Sequence, residues 1–392
     1  MIFPYFIPPL LAFIVAIFEK GMSHNTRKII YIMLSCCAVF IYCCVYINGS
    51  DWPAYEMFFE NIDWSNWVEK SKMLGFELGF SFALLSLKTI GFNFMLSLIL
   101  MKSFSLVTIS SFFYSFSVSK SAKGDAKNIF LLLFIFYITS CMYLYVETII
   151  RFSIALAIVI KSYKYFLSSR FIPYLFMILL AALFHRTVLI VIPLYFLKEV
   201  KLSSICLFFI VFLIYVFFSP QILLLIFKFI NKYVNNIFII KLVAYLEFTI
   251  KLNKVNSLAI GNIVHFLYFI LVLIYRKKIE CLPKHGKKIF VATIVFFIIY
   301  FATIYMGAVS RIRLLYNLFF IISLSTILSV TYINRTFIFI LCVAFWISGF
   351  YLSIDRNFCL KHYTNYITSA IEGKADLTLD EKYRIYNSWA FE

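Results

Sequence analysis

Apolar stretches of about 20 residues, each long enough to cross a bilayer as an α-helix, recur along the whole chain. The clearest cover residues 29–48, 92–117, 129–146, 149–167, 203–220, 256–275, 289–307, 314–332 and 336–354. Residues 3–18 form a shorter run with Pro4, Pro8 and Pro9 near its start, where a helix tolerates proline. No basic segment precedes it, so it is read as a first membrane helix rather than a cleaved leader. A further run, 172–197, is interrupted by His185 and Arg186, and residues 221–255 are mixed and amphipathic. Of the 392 residues 63% are apolar and 14% charged, against about 45–50% and 25% in a soluble domain. A soluble fold of this size could not cover so much apolar side chain. Soluble enzymes, nucleic-acid regulators and disordered chains are thereby excluded. The pattern predicts an all-α polytopic membrane domain over residues 1–354, with about 10–13 transmembrane or half-membrane helices, and a polar tail over 355–392.

The net charge of +18 sits in short loops, where it orients a membrane protein. No basic helix or arm is present to lie on a duplex, so nucleic acid is not a partner. The loops 19–28 (Lys20, Arg27, Lys28) and 118–128 (Lys120, Lys123, Lys127) are basic. So are 161–171 (Lys161, Lys164, Arg170) and 276–288, with six Lys or Arg and one Glu. All four are expected in the cytoplasm. The loop 49–78 carries Asp51, Glu56, Glu60, Asp63, Glu69 and Glu77 against Lys70 and Lys72, and is expected outside. Counting crossings leaves two models for 172–197. A single crossing requires another near 237–250 to keep the 276–288 loop inside. Two half-length segments turning at His185 require none, and this model is preferred; it leaves the tail outside. Asp51, Glu77, Glu147, Arg151, His185, Arg186, Arg311 and Arg313 then gather at or near the outer face. Ionisable groups at membrane depth are costly and tend to have a purpose.

Each of these groups has a bland and a functional reading. Arg151 opens an apolar helix four residues after Glu147, as a local ion pair or as a planar guanidinium gripping a phosphate. His185 and Arg186 interrupt an apolar run, as packing residues or as base, acid or diphosphate ligand. Arg311 and Arg313 are placed outside against the positive-inside rule, which binding of an anionic ligand would explain. Asp51 and Glu77 flank a loop with Trp52, Tyr55, Phe58, Phe59, Trp64 and Trp67, as an interfacial belt or a sugar-stacking surface. Lys88 and Asn93 flank Gly91, which suits a tight turn. The nine cysteines lie mostly inside apolar runs without CxxC, as packing residues. The tail's aromatic end (Tyr383, Tyr386, Trp389, Phe391) suits contact with the membrane surface. No spacing suggests a metal site, and no nucleotide or nucleophile motif occurs, so neither metal nor cofactor is expected.

Taken in order, Asp51-Trp52-x-x-Tyr55, Glu77-x-Gly79-Phe80, Gly91-x-Asn93-Phe94, Arg151-Phe152-Ser153-Ile154-Ala155, Phe184-His185 and Arg311-x-Arg313-x-x-Tyr316 resemble the EpsG-like group of Wzy-type O-antigen and exopolysaccharide polymerases. The likeness spans roughly residues 48–320. Leu78 stands where the group often has Pro, and Phe152 where it often has Gln. The resemblance implies an inner-membrane glycosyltransferase with a GT-C-like fold, acting at the periplasmic face on undecaprenyl-diphosphate-linked glycans. It assigns Arg151, Arg186, Arg311 and Arg313 to the diphosphate and His185, Asp51 or Glu77 to proton transfer. It assigns Trp52, Tyr55, Asn93 and Tyr316 to the glycan. It also admits a polysaccharide chain-length regulator as a partner, for which no motif is visible. A lipid-linked oligosaccharide flippase would normally show internal repeats, and none is seen. A membrane acyltransferase modifying the glycan would need its histidine on the cytoplasmic side, against the orientation derived above.

Overall fold

The structure is a computed structural model. It describes residues 3–47, 49, 51–118, 129–146, 149–197, 201–217, 219–234, 237–251, 260–282, 285–330, 344, 349, 362–375 and 377–390. Nearly all of the expected span 336–354, Glu147 and the basic residues of the 118–128 loop lie outside them. Among the described residues there is no strand, only a single antiparallel bridge between Val45 and Asn365. The protein is an all-α polytopic membrane protein. It divides into two compact units, residues 1–192 with 334–392, and residues 193–333.

The first unit begins with α1 (Ile7–Phe18) and α2 (His24–Ala38), the latter prolonged by a π-helical turn, Val39–Cys43. Short helices α3 (Trp52–Asn61) and α4 (Trp67–Leu74) occupy the acidic, aromatic loop. Then follow α5 (Leu78–Ile90), α6 (Phe94–Val118), α7 (Ile129–Phe136, continued by π-helix Tyr137–Val146), α8 (Ile150–Leu167) and α9 (Phe171–Ala182). Helix α8 packs against α6 and α9 and is buried along nearly its whole length. Its apolar residues surround it, which is the pattern of a helix enclosed by others. Among the described residues, three helices have the length and composition to cross a bilayer: His24–Cys43, Phe94–Ser117 and, in the second unit, Gly286–Thr303.

The run 172–197 folds back on itself. Helix α9 ends at Ala182, and a 3-10 helix occupies Arg186–Phe196. The Tyr174 hydroxyl, near the start of α9, donates to the Val191 carbonyl at 2.7 Å. A straight helix would separate these residues by about 25 Å, so the two arms run antiparallel. His185 stands at the bend between the two arms.

The second unit holds α10 (Ser204–Phe217), α11 (Pro220–Tyr233), α12 (Ile237–Lys251), α13 (Ile260–Ile274), α14 (Arg276–Glu280) and α15 (Gly286–Thr303). A 3-10 helix, Gly307–Arg313, then leads into α16 (Leu314–Val330). The amphipathic stretch 221–255 forms the α11–α12 pair. It buries Leu223 and Leu246 with Tyr305 and Met306, while Lys228 and Glu247 pair at its surface at 2.7 Å.

The chain returns to the first unit as α17 (Tyr366–Ile371) and α18 (Leu379–Ala390). These pack on the segment before α3 and on α3 itself: Tyr46 N–H donates to Thr364 O at 3.0 Å, and Lys382 Nζ to Glu56 Oε1 at 2.5 Å. The tail therefore lies against the acidic loop. Tyr383 and Tyr386, read from the sequence as membrane-surface residues, pack instead on Trp52.

Candidate active site around Arg151 and Glu77

The site is assembled where three chain reversals meet the first turn of α8. Asp51 precedes α3, and Tyr55 lies one turn on, so both fall on one helix face. The Tyr55 hydroxyl donates to Asp51 Oδ2 at 3.3 Å and accepts from Arg151 Nε at 3.1 Å. Helix α4 stops at Gly75, whose φ of +68° suits a residue without Cβ. The chain then turns through Phe76 into Glu77, which is extended and begins α5. This turn presents three groups to Arg151. Glu77 Oε2 accepts from Arg151 Nη1 at 2.8 Å, Gly75 O from the same nitrogen at 3.4 Å, and the Phe76 ring centre lies 4.9 Å from the guanidinium carbon.

The third reversal is the hairpin bend. Gly79 N–H donates to Leu183 O at 2.8 Å. A Cβ on residue 79 would sit 2.7 Å from that oxygen, so only glycine permits the approach. The contact brings the bend beside Glu77, whose Oε1 accepts the Arg186 backbone N–H at 3.4 Å. His185 stands edge-on to Phe152 at 5.3 Å, with Nδ1 2.7 Å from the Thr187 hydroxyl. Asp51, Tyr55, Arg151 and Glu77 thus form one hydrogen-bonded cluster, joined through Glu77 to the Arg186 backbone N–H, with His185 next to Arg186 at the bend.

Its electrostatics are those of a partly dehydrated rim. The side chains of Arg151 and Glu77 are 22% and 11% exposed. Burial pushes the Tyr55 phenol up to about 12, against the opposing pull of Arg151, so it stays a donor to Asp51. The Arg151 guanidinium uses Nε and Nη1, while Nη2 has no hydrogen-bond partner among the described residues. That edge can offer two N–H groups to an anion. The carboxylate partner of Arg151 is Glu77, 74 positions away; Glu147, the partner considered from sequence, lies outside the described residues.

Other sequence candidates fall elsewhere. Trp52 is 3% exposed and packs against Tyr383 and Tyr386 at 5.8 and 6.2 Å. Its faces are covered, so it is a packing residue and not an open sugar-stacking platform. Asn93 caps α6, its Oδ1 accepting Leu96 N–H at 2.9 Å and its Nδ2 donating to the Tyr366 hydroxyl at 2.9 Å. Lys88 is spent on the carbonyls of Phe59, Glu60 and Ile62.

In the second unit, Arg311 and Arg313 are partly exposed and Tyr316 is buried. The Arg313 guanidinium lies 5.1 Å from the Tyr300 ring centre, and His265 stacks on Tyr300 at 4.1 Å. Sequence reading missed His265 because it sits in an apolar run. Its one signal was Asn262, a second polar residue three positions earlier.

The model of the EpsG family matches residues 48–368, which include the whole Arg151 cluster. No curated protein sequence and no solved structure matches the chain. A family match over most of the chain supports a polymerase-type role in making exopolysaccharide or O-antigen. On that match the chain belongs to the EpsG family.

Proposed function

We propose that this protein joins undecaprenyl-diphosphate-linked oligosaccharide repeat units by glycosyl transfer at the periplasmic face of the bacterial inner membrane. In the reaction an acceptor sugar hydroxyl attacks the anomeric carbon of the donor glycan. A C–O bond forms there, the bond to the lipid diphosphate breaks, and the hydroxyl proton passes to a base. The chemistry asks for positive charge at the departing diphosphate and a proton acceptor at the hydroxyl. The observation that carries the reading is Arg151, oriented by Tyr55, Glu77 and Phe76 with Nη2 left over.

In this reading Arg151 binds the diphosphate and the Arg186 side chain adds further charge, while Arg311 and Arg313 keep, in the second unit, the diphosphate role that the family resemblance gives them. Glu77 acts as a positioning residue, because both its oxygens are already engaged. Proton transfer falls to His185 or Asp51. The Thr187 hydroxyl, 2.7 Å from His185 Nδ1, fixes the orientation of the imidazole ring. Tyr55, beside Asp51, is the member of the glycan set that hydrogen-bonds Arg151.

The test is the surface-glycan ladder from cells lacking the gene and carrying Arg151→Ala or His185→Ala. Collapse to a single repeat unit on the acceptor lipid is the expected result, because units are then made and exported but not joined. Loss of even that unit would favour a flippase. An unchanged ladder would favour a decorating acyltransferase.

A further inference from the structure

The C-terminal segment grips the chain on both sides of Asp51. Before Asp51, residues 44–46 pair antiparallel with residues 364–366. Tyr46 N–H donates to Thr364 O at 3.0 Å, and Tyr366 N–H to Cys44 O at 2.7 Å. The Tyr46 hydroxyl donates to Ala375 O at 2.8 Å, and Asn365 Nδ2 to Phe40 O at 2.8 Å. After Asp51, helix α18 covers α3. Trp52 meets Tyr383 and Tyr386, and one turn on Glu56 meets Lys382, with both members of that ion pair 8% exposed.

The geometry of α3 explains why this matters. Trp52 and Glu56 are four residues apart and share one face, toward α18. Asp51 and Tyr55 are also four apart and share the neighbouring face, toward Arg151. A helix of 10 residues has little interior of its own with which to hold its orientation. Rotating it by a fraction of a turn would withdraw the Tyr55 hydroxyl from Arg151 Nε. A charged pair this deeply buried is strongly orienting, because separating its members strands a charge away from water.

We propose that the segment carrying α17 and α18 is a positioning element of the active site. Lys382, 231 positions from Arg151 in sequence but two contacts away through α3, is its key residue. It acts by holding Glu56, and so the register in which Asp51 and Tyr55 meet Arg151. The inference rests on the polymerase reading above.

The experiment compares cells expressing the wild type, Lys382→Met, Lys382→Arg, the exchange Glu56→Lys with Lys382→Glu, and Arg151→Ala. Polymer is measured on the glycan ladder per molecule of protein in the membrane fraction. Lys382→Met is expected to lower polymer per molecule roughly 10- to 100-fold, the scale of a site displaced by about 1 Å, while single repeat units persist. Lys382→Arg keeps the charge and should recover at least about half of the wild-type polymer; the exchange should recover part. A wild-type ladder from Lys382→Met would overturn the proposal. So would Lys382→Arg performing no better than Lys382→Met at equal protein amounts, or a loss of polymer that merely tracks loss of protein. If Arg151→Ala leaves the ladder intact as well, the polymerase reading itself fails. If Arg151→Ala collapses it and Lys382→Met does not, only the positioning role fails.

Discussion

The Arg151–Glu77 pair allows structural and catalytic roles to be separated by a double-mutant cycle. The contact is 2.8 Å, with the two side chains 22% and 11% exposed. At an effective dielectric of about 20 and a charge separation of about 4 Å, the attraction is about 4 kcal/mol. Desolvation offsets part of it, leaving a net coupling of about 2 kcal/mol. Arg151→Ala leaves the Glu77 carboxylate without its cation and removes the Tyr55 bond, worth about 1 kcal/mol more. With about 2 kcal/mol more for stranding the Glu77 carboxylate, the single variant should therefore lose about 5 kcal/mol of stability. Adding Glu77→Ala removes the stranded charge and should return about 2 kcal/mol. Activity should behave differently. If Arg151 stabilises the departing diphosphate, its loss costs about 100- to 1,000-fold in rate, and removing Glu77 restores none of that. Thermal melting of the detergent-purified variants gives the stability cycle, and the glycan ladder per molecule gives the activity cycle. A double variant that recovers both stability and polymer would refute the reasoning, because Arg151 would then serve only to neutralise Glu77.

Two further outcomes follow from individual contacts. Gly79→Ala drives a Cβ to 2.7 Å from Leu183 O and 2.8 Å from Leu183 Cβ. Backbone must move, at a cost of about 2 kcal/mol, and the displaced bend carries His185; a melting curve and ladder matching wild type would count against this assignment. Glu19 is buried between α1 and α2, with its two oxygens accepting Ile129 and Phe130 N–H at 2.8 and 3.3 Å. Burial pushes its carboxyl from 4.5 up to about 7, against those bonds and the Arg27 charge. The folded state therefore holds a proton more tightly than the unfolded state. The contribution to stability is full below pH 4.5 and falls by about 3 kcal/mol as pH rises through 7. Glu19→Gln should remove that slope from the difference between melting curves at pH 4.5 and 7.5, and parallel curves would contradict it.

What the sequence made legible, and what it hid, divides along one physical line. Features set by local composition were readable. The run 129–146 is helical over the same residues, partly as π-helix. The break in the helix at His185 was marked by the two polar residues, His185 and Arg186, inside an apolar run. Features set by which distant segments meet were not. The i, i+4 neighbour of Arg151 is Glu147, yet the carboxylate that holds it belongs to a turn 74 positions away. The aromatics of residues 52–67 read equally as a belt or a platform, because their role depends on what covers them. Trp52 is covered by Tyr383 and Tyr386 of the tail, whose aromatic end suggested a membrane surface and not this loop as its partner. Asn93 lay in a motif, but its amide caps α6 and bonds to Tyr366, 273 positions away.

On the proposed diphosphate-binding role, the cluster also accounts for an arginine at position 151. A lone cation beside the membrane would be free to swing, and a diphosphate would have to order it. Here Nε is directed by Tyr55, Nη1 by Glu77, and the plane by the Phe76 ring, so Nη2 is aimed before any ligand arrives. A carboxylate next to a phosphate site would ordinarily repel the ligand. Glu77 escapes this because its two oxygens turn to Arg151 and to the Arg186 N–H. A lysine could not replace this arrangement. Its N–H groups share a single nitrogen, so the atom that satisfied Glu77 would be the same atom that had to meet the phosphate. Only a forked, planar cation can be held on one edge and offer the other.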